Sequence, residues 1–520
     1  MADFDAIVIG AGHNGLAAGA RLARAGKKVL VLERNGHVGG MAATQTLWKG
    51  YRHNVGAWAL LVLPEAMIDA FEMREHGLEV LRPRTSYCVF GAAEDPPFIF
   101  YSDVNEMVQH LVTCHGPDAA EALMGLWGHV QVFANVMSEQ RLGPPKPMDA
   151  IIAGAADAAT REILLRSFHG SAMDVIRRFF PDPTRHRTIT GSLAAMSIDG
   201  THGGPYTPGT ACSMSYHYTA SGAANEFRMP RGGIGAVSEA LRRCLEAHGG
   251  SVRCRARVAR IVVEGGRAMG VELSGGERIS SSAVLSSVDA RATFLGLAGE
   301  RHLPERFVHE VEEIDYRNGY IQIHLVLREL PRLTGHLEFA NEGGIGWLLA
   351  YIPSPEHLAR CWEQYRRNEV PDDPVAYCTI PSVVDPSLAE PGTHTCTIFS
   401  HYFPAEGSQA EHASMKRVMA DRVIERMERH APGFRASIVK KAVLTHRYFE
   451  SRFGITAGDF AHGLLHPGQM WDRRPVPGWS SYRTPIGGLY LCGSACHPGP
   501  GVTCMPGHNA AEAVLEDAGR

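Results

Sequence analysis

Apolar positions without polar alternation open the chain. Asp5 to Gly10 is a run of Ala, Ile and Val, the pattern of a strand buried on both faces of a parallel sheet. From Asn14 to Ala25 the positions Leu16, Ala20 and Ala23 recur at helical spacing, Gly26 closes the helix, and Lys28 to Leu32 reads as a second buried strand. Strand, helix and strand in this order predict an α/β fold that begins with a Rossmann-like domain.

The pattern then changes several times. Between 86 and 225 helical patterns dominate, and Leu123, Leu126, Trp127, Val130, Phe133, Ala134 and Met137 fall on one stripe, a core face with a substrate-tunnel wall as the alternative. From 226 a glycine turn and a helix ended by Gly249 and Gly250 precede three strands, "VRCRARVARIVVE", "AMGVELS" and "RISSSAVLSSVD", joined by Gly-Gly turns. Residues 301–440 alternate strand-like and helical patterns. Near the end Leu489 to Cys492 is a buried strand, Gly493 ends it, and an alanine-rich helix is expected from about His508.

This predicts a Rossmann-like nucleotide-binding domain assembled from discontinuous segments, 1–85, 226–300 and 441–520. The intervening segments would form an α+β substrate domain, with a helical part at 86–225 and a sheet with helices at 301–440.

The candidate chemistry sits in the first turn. Gly10, Gly12 and Gly15 have the G-x-G-x-x-G spacing: a tight turn, backbone approach to a pyrophosphate, and close helix–strand packing. His13 and Asn14 lie in the same loop at the helix start. Glu33 ends the second strand about 20 residues on, where a carboxylate receives ribose hydroxyls. A second glycine pair, Gly39 and Gly40, favours the long FAD molecule over a nicotinamide dinucleotide. "GGIGAVS" lacks the third glycine and follows no strand, so a separate NAD(P) domain is not expected.

Composition narrows the classes. With 45% hydrophobic and 20% charged residues the 520-residue chain has a globular composition and exceeds one ordinary core. A net charge of −4 gives no reason to expect nucleic acid. The 11 cysteines form no C-x-x-C pair and the 26 histidines no H-E-x-x-H, so neither a dithiol centre nor a metal site is expected. No basic segment precedes the first strand; a cytoplasmic setting without a cleavable leader is the expectation. The most apolar window, "VGAWALLVLPEAM", is interrupted by Pro64 and too short to span a bilayer. It is expected in the core, with peripheral contact to a membrane surface as the alternative.

Four stretches together resemble the phytoene desaturase-like flavoproteins, in the branch of desaturase-type carotenoid ketolases and pyridine nucleotide-disulfide oxidoreductase domain-containing proteins. They are "IVIGAGHNGLAAGARLARAGKKVLVLERNGHVGG", "MPRGGIGAVSEAL", "RPVPGWSSYRTPIGGLYLCGSACHPGPGV" and "PGHNAAEAV". The resemblance implies Gly10, Gly12 and Gly15 at the FAD pyrophosphate and Glu33 at the adenosine ribose. Arg34, Gly39, Gly40 and Met41 would lie along the dinucleotide, Val258 would meet the adenine through its main chain, and Gly493 with Met505 would approach the flavin ring. Met41 stands where many relatives have Arg, and Pro500 interrupts the family's His-Pro-Gly-Gly-Gly loop.

The implied chemistry is hydride transfer from a C–H bond of a lipophilic, isoprenoid or polyene-like substrate to FAD. Such chemistry needs few protein acids or bases. His497 and His53 are the candidate polar residues facing the flavin. Alternatives are a redox-neutral isomerase or hydratase, a flavin amine oxidase, and a flavin-binding assembly protein without turnover. The sequence sets no oligomeric state.

Overall fold

The computed structural model describes residues 2–92, 94–219, 227–342 and 346–519. Its N-terminal unit comprises β1 (Phe4–Ile9), α1 (His13–Arg24), β2 (Val29–Leu32) and a hairpin of β3 (Ala42–Trp48) and β4 (Tyr51–Gly56). The strands β1 and β2 are parallel neighbours in a seven-stranded sheet. Strand Arg278–Ser286 runs parallel on the other side of β1, and Leu489–Leu491 pairs with it in turn. Segments far apart in the chain therefore complete one sheet.

Register decides what this sheet can do. Ile9 lies opposite Leu32 and Ser286, and Ser286 opposite Leu491. Gly10, Glu33, Ser287 and Cys492 consequently leave the sheet at one edge, the carboxyl edge where open α/β sheets bind ligands. Helix α1 packs against Gly235–Ala247 and against the C-terminal helix α2 (Met505–Ala518). Gly507 permits the second contact, since a Cβ there would stand 1.9 Å from the Asn14 carbonyl oxygen.

Several boundaries differ from the sequence reading. "VRCRARVARIVVE" is two strands: Ser251–Arg253 lies parallel to β2, and Val258–Glu264 forms an antiparallel ribbon with Arg267–Leu273. The chain turns between them at Arg255, whose φ is 55°. Continuous alternation of side chains hides such a turn, because the residue that breaks it is not a glycine. Helix α2 begins at Met505, three residues before the expected start, because Pro506 is compatible with a first helical turn. The segment 86–225 is not wholly helical either; Thr85–Phe90 and Phe98–Tyr101 form a hairpin belonging to the second sheet.

That second sheet also has seven strands, in the order Ile438–Thr445, Tyr320–Leu327, His394–His401, Ala376–Thr379, Leu348–Tyr351, Thr85–Phe90 and Phe98–Tyr101. Every residue of Tyr320–Leu327 is buried. Its Ile321, Ile323, Leu325 and Leu327 pack with Met419, Val423 and Ile424 of helix Gln409–His430. The alternate residues Tyr320, Gln322 and His324 turn to the opposite face, toward hairpin β3–β4 and the first sheet.

The apolar stripe Leu123–Met137 lies on helix Pro117–Ser138 and is buried except for the partly exposed Trp127. Among the described residues no helix is long and apolar enough to cross a membrane.

Candidate functional site

The turn after β1 has the geometry its glycines require. Gly10 has a φ of 93°, and a Cβ on Gly15 would stand 2.0 Å from the Gly10 carbonyl oxygen, so α1 starts flush against the turn. A Cβ on Gly12 would meet nothing within 4 Å. Gly12 faces open space at a helix N-terminus, where backbone N–H groups and the helix dipole favour an anion. Glu33 is buried beside it. Its Oε2 accepts the Ala11 N–H at 2.9 Å, and its Oε1 accepts from the Asn35 backbone at 2.8 Å and from Asn35 Nδ2 at 3.0 Å.

From this turn a cavity runs between the two sheets. Gly10, Gly12, His13, Asn14, Gly15, Glu33, Gly40 and Met41 line its first part. The other expected cofactor residues stand behind the wall or elsewhere. Gly39 supports the turn through its N–H to the Ala11 carbonyl at 2.8 Å. Gly493 packs on the Ser287 backbone, where a Cβ would come within 2.3 Å. Val258 pairs with Leu273, Arg34 lines a second cleft, and Met505 borders a small separate pocket.

The loop before α2 closes the middle of the cavity with Pro500, Gly501 and Val502. Two side chains fix it. Tyr216 donates its hydroxyl to the Pro500 carbonyl at 2.7 Å, and His13 Nε2 donates to the Gly501 carbonyl at 3.0 Å. Burial pushes the His13 pKa down to about 4, which keeps the imidazole neutral. Gln322 reaches across from the second sheet, donating to the Gly56 carbonyl at 2.7 Å and accepting the Gly56 N–H at 3.2 Å. The β4 terminus is thereby held at the cavity wall.

Beyond Gly56 the lining becomes apolar: Trp58, Leu61, Val62, Phe227, Phe399, Phe460 and Leu465. The window expected in the core therefore has two parts, since Leu60, Leu63 and Met67 are core while Trp58, Leu61 and Val62 face the cavity. Trp58 stacks on Phe227 at 5.6 Å between ring centroids. Polar side chains interrupt this wall, Asp199 and His217 among them. Asp199 Oδ2 lies 3.4 Å from His217 Nε2, and its Oδ1 lies 4.0 Å from His401 Nε2. Burial holds His401 at about 4, with Asp199 opposing that shift.

Neither candidate catalytic histidine lines this cavity. His53 is buried between the rings of Trp48 and His324, at 5.5 and 5.4 Å, and neither of its nitrogens has a hydrogen-bond partner. His497 donates from Nε2 to the Gln140 carbonyl and borders a small pocket with Phe133, Met137 and Met505. Burial lowers both to about 4. Sequence reasoning missed Gln322, Tyr216, Asp199 and His217. Of these, Gln322 carried a signal, as a polar residue on an otherwise apolar strand.

A scan against family models matches residues 15–515 to flavin-containing amine oxidoreductases. The chain belongs to that family. Within it the chain is a phytoene desaturase-like enzyme and an FAD-dependent oxidoreductase. It is 30% identical to pyridine nucleotide-disulfide oxidoreductase domain-containing protein 2 of Rattus norvegicus, across 99% of this chain and 94% of that one. A limonene dehydrogenase chain of Castellaniella defragrans is 26% identical, across 99% and 95%. In fold the chain is similar to putrescine oxidase bound to putrescine, with a TM-score of 0.62 at 16% identity over 99% of both chains. The residues present fit the family's cofactor: Gly12 borders open space where a pyrophosphate would lie, and Glu33 borders the same cavity where a ribose would. Among the described residues no cluster suits a metal ion.

Proposed function

We propose that this oxidoreductase removes hydride from a C–H bond of an apolar, isoprenoid- or polyene-like molecule. The observation that carries this reading is the continuity of one cavity from the glycine turn, past Gly56, into a wall of Trp58, Leu61, Val62, Phe227, Phe399, Phe460 and Leu465. The relationship to a limonene dehydrogenase supports the same substrate class.

Bound FAD supplies the hydride acceptor. The chain's residues do the rest. The aromatic and aliphatic wall binds by burial, at roughly 25 cal/mol per Å² of apolar surface, and keeps water from the reacting carbon. Gln322 and Tyr216 hold the two backbone segments that frame the reacting region. Asp199 and His217, whose Oδ2 and Nε2 lie 3.4 Å apart, offer a polar substituent on the substrate its hydrogen-bond partner. Asp199 also supplies the feature an amine oxidase reading needs, a carboxylate for a cationic substrate.

Anaerobic titration of the FAD-loaded protein separates these readings. Detergent-dispersed monoterpenes and polyenes are expected to bleach the visible flavin band, with NADPH and putrescine leaving it oxidised. Trp58→Ala should weaken the apolar substrate about tenfold or more without altering flavin content. Bleaching by amines and by no apolar molecule would overturn the proposal.

A further inference from the structure

Asn35 lines two cavities, and the second has a different chemistry. It is a solvent-open cleft between the turn after β2 and residues 443–452. Arg34, Arg257, Lys416, Arg447 and Arg452 line it, and no Asp or Glu is among the lining residues. Close ion pairs such as Arg231 with Glu79 at 2.6 Å and Arg253 with Glu277 at 2.7 Å occur on other parts of the surface. Among the described residues none of the five cleft cations has a carboxylate within 4.0 Å.

Three of the five are held in place by main-chain oxygens. Arg34 Nη2 donates to the Ser451 carbonyl at 3.3 Å, Lys416 Nζ to Val443 at 3.3 Å, and Arg447 Nη2 to Gly407 at 2.8 Å. The charges are thus positioned but not neutralised, in a protein of net charge −4 that has carboxylates to spare. The mutual repulsion is felt by neighbouring groups. Burial lowers the Arg34 pKa and Arg257 and Arg452 add to that shift against the opposing charge of Glu33, while His412 in the same wall is held at about 4 by burial and then by Arg447 and Lys416. An arrangement of this kind is complementary to an anion with several oxygens.

The phosphates of FAD do not fill that role, because they belong at the glycine turn in the other cavity, and the adenosine that could approach Arg34 carries no charge. We propose that the cleft binds a second, phosphate-bearing anion. The proposal is independent of which substrate the enzyme oxidises.

The test uses FAD-loaded protein, so that the glycine turn is already occupied. Inorganic pyrophosphate is titrated calorimetrically at low salt, and co-sedimentation is measured with phosphatidylcholine vesicles with and without phosphatidic acid. Saturable pyrophosphate binding points to a free phosphate ligand; sedimentation that requires phosphatidic acid points to a lipid headgroup. Either response should weaken about tenfold for each guanidinium removed in Arg257→Ser with Arg452→Ser, with the flavin spectrum unchanged. If the double variant loses flavin, Arg452→Ser alone carries the comparison. Absence of both responses, or a response that the variants leave intact, overturns the proposal.

Discussion

Acidification is expected to unfold this protein well above the pH at which most carboxylates protonate. Ten histidines, among them His13, His53, His401, His462 and His497, are held at a pKa of about 4, with burial the leading cause in each. The same imidazoles titrate near 6.5 when the chain unfolds. A depressed folded pKa gives stability that is complete above about 6.5 and declines as pH falls toward 4, since only the unfolded chain takes up the proton. For one such histidine the loss is about 1 kcal/mol by pH 5.5 and about 3 kcal/mol over the whole interval. The most deeply buried of them, His13, His53, His115, His401, His446, His462 and His497, together lose several kcal/mol by pH 5.5, a large share of the roughly 5–15 kcal/mol of a typical fold, while solvent screens the other three and they add less. Asp459 acts in the opposite direction, because burial raises its pKa to about 6 and its protonation favours the folded state as pH falls. It is one group against ten. Urea unfolding followed by far-ultraviolet circular dichroism between pH 8 and 5.5, with FAD release as a second signal, should show stability falling by several kcal/mol. A change below about 1 kcal/mol between pH 7 and 5.5 would refute the reasoning, since it would mean that these imidazoles accept protons without unfolding.

Two further outcomes follow from the packing around the site. Gly15→Ala should yield protein largely without flavin, because its Cβ cannot stand 2.0 Å from the Gly10 carbonyl oxygen, whereas Gly12→Ala should fold normally and bind FAD more weakly; flavin content per chain checks both. Arg474→Met should cost about 3–5 kcal/mol in urea unfolding, because the buried guanidinium serves the carbonyls of Ala461, Gly463, Gln469 and Ser494, and methionine leaves all four without that donor.

What the sequence reveals of this site follows from the range over which each constraint acts. The glycine turn and Glu33 are readable because strand, turn, helix and strand are contiguous, and each residue type answers to a local backbone requirement. Gly10, Gly12, Gly15 and Glu33 accordingly line the cavity. Position in the chain does not give direction. His53 lies three residues before Gly56 on β4, yet Gly56 borders the cavity while His53 is enclosed by Trp48 and His324. His497 sits in the loop that reaches the cavity at Pro500, but its imidazole is turned toward the Gln140 carbonyl. The apolar wall was less legible still, because Trp58, Phe227, Phe399 and Phe460 come from separate segments, and each alone has the same apolar signature as a core residue.

Strand Tyr320–Leu327 shows what a closer reading of polarity could have gained. Its sequence "YIQIHLVL" is buried at every position, so hydrophobic content alone marks it as central. The odd positions are uniformly aliphatic, as packing against a helix demands. The even positions begin Tyr, Gln, His, three groups that are expensive to bury without partners. Their face must meet something that supplies hydrogen bonds, and it does: Tyr320 donates to the Gly458 carbonyl, Gln322 pairs with Gly56, and His324 Nδ1 pairs with Thr397 Oγ1. Tyr320 and Gln322 thus bond to main chain outside their sheet while His324 bonds to the neighbouring strand, and this polar face borders the cavity through Gln322.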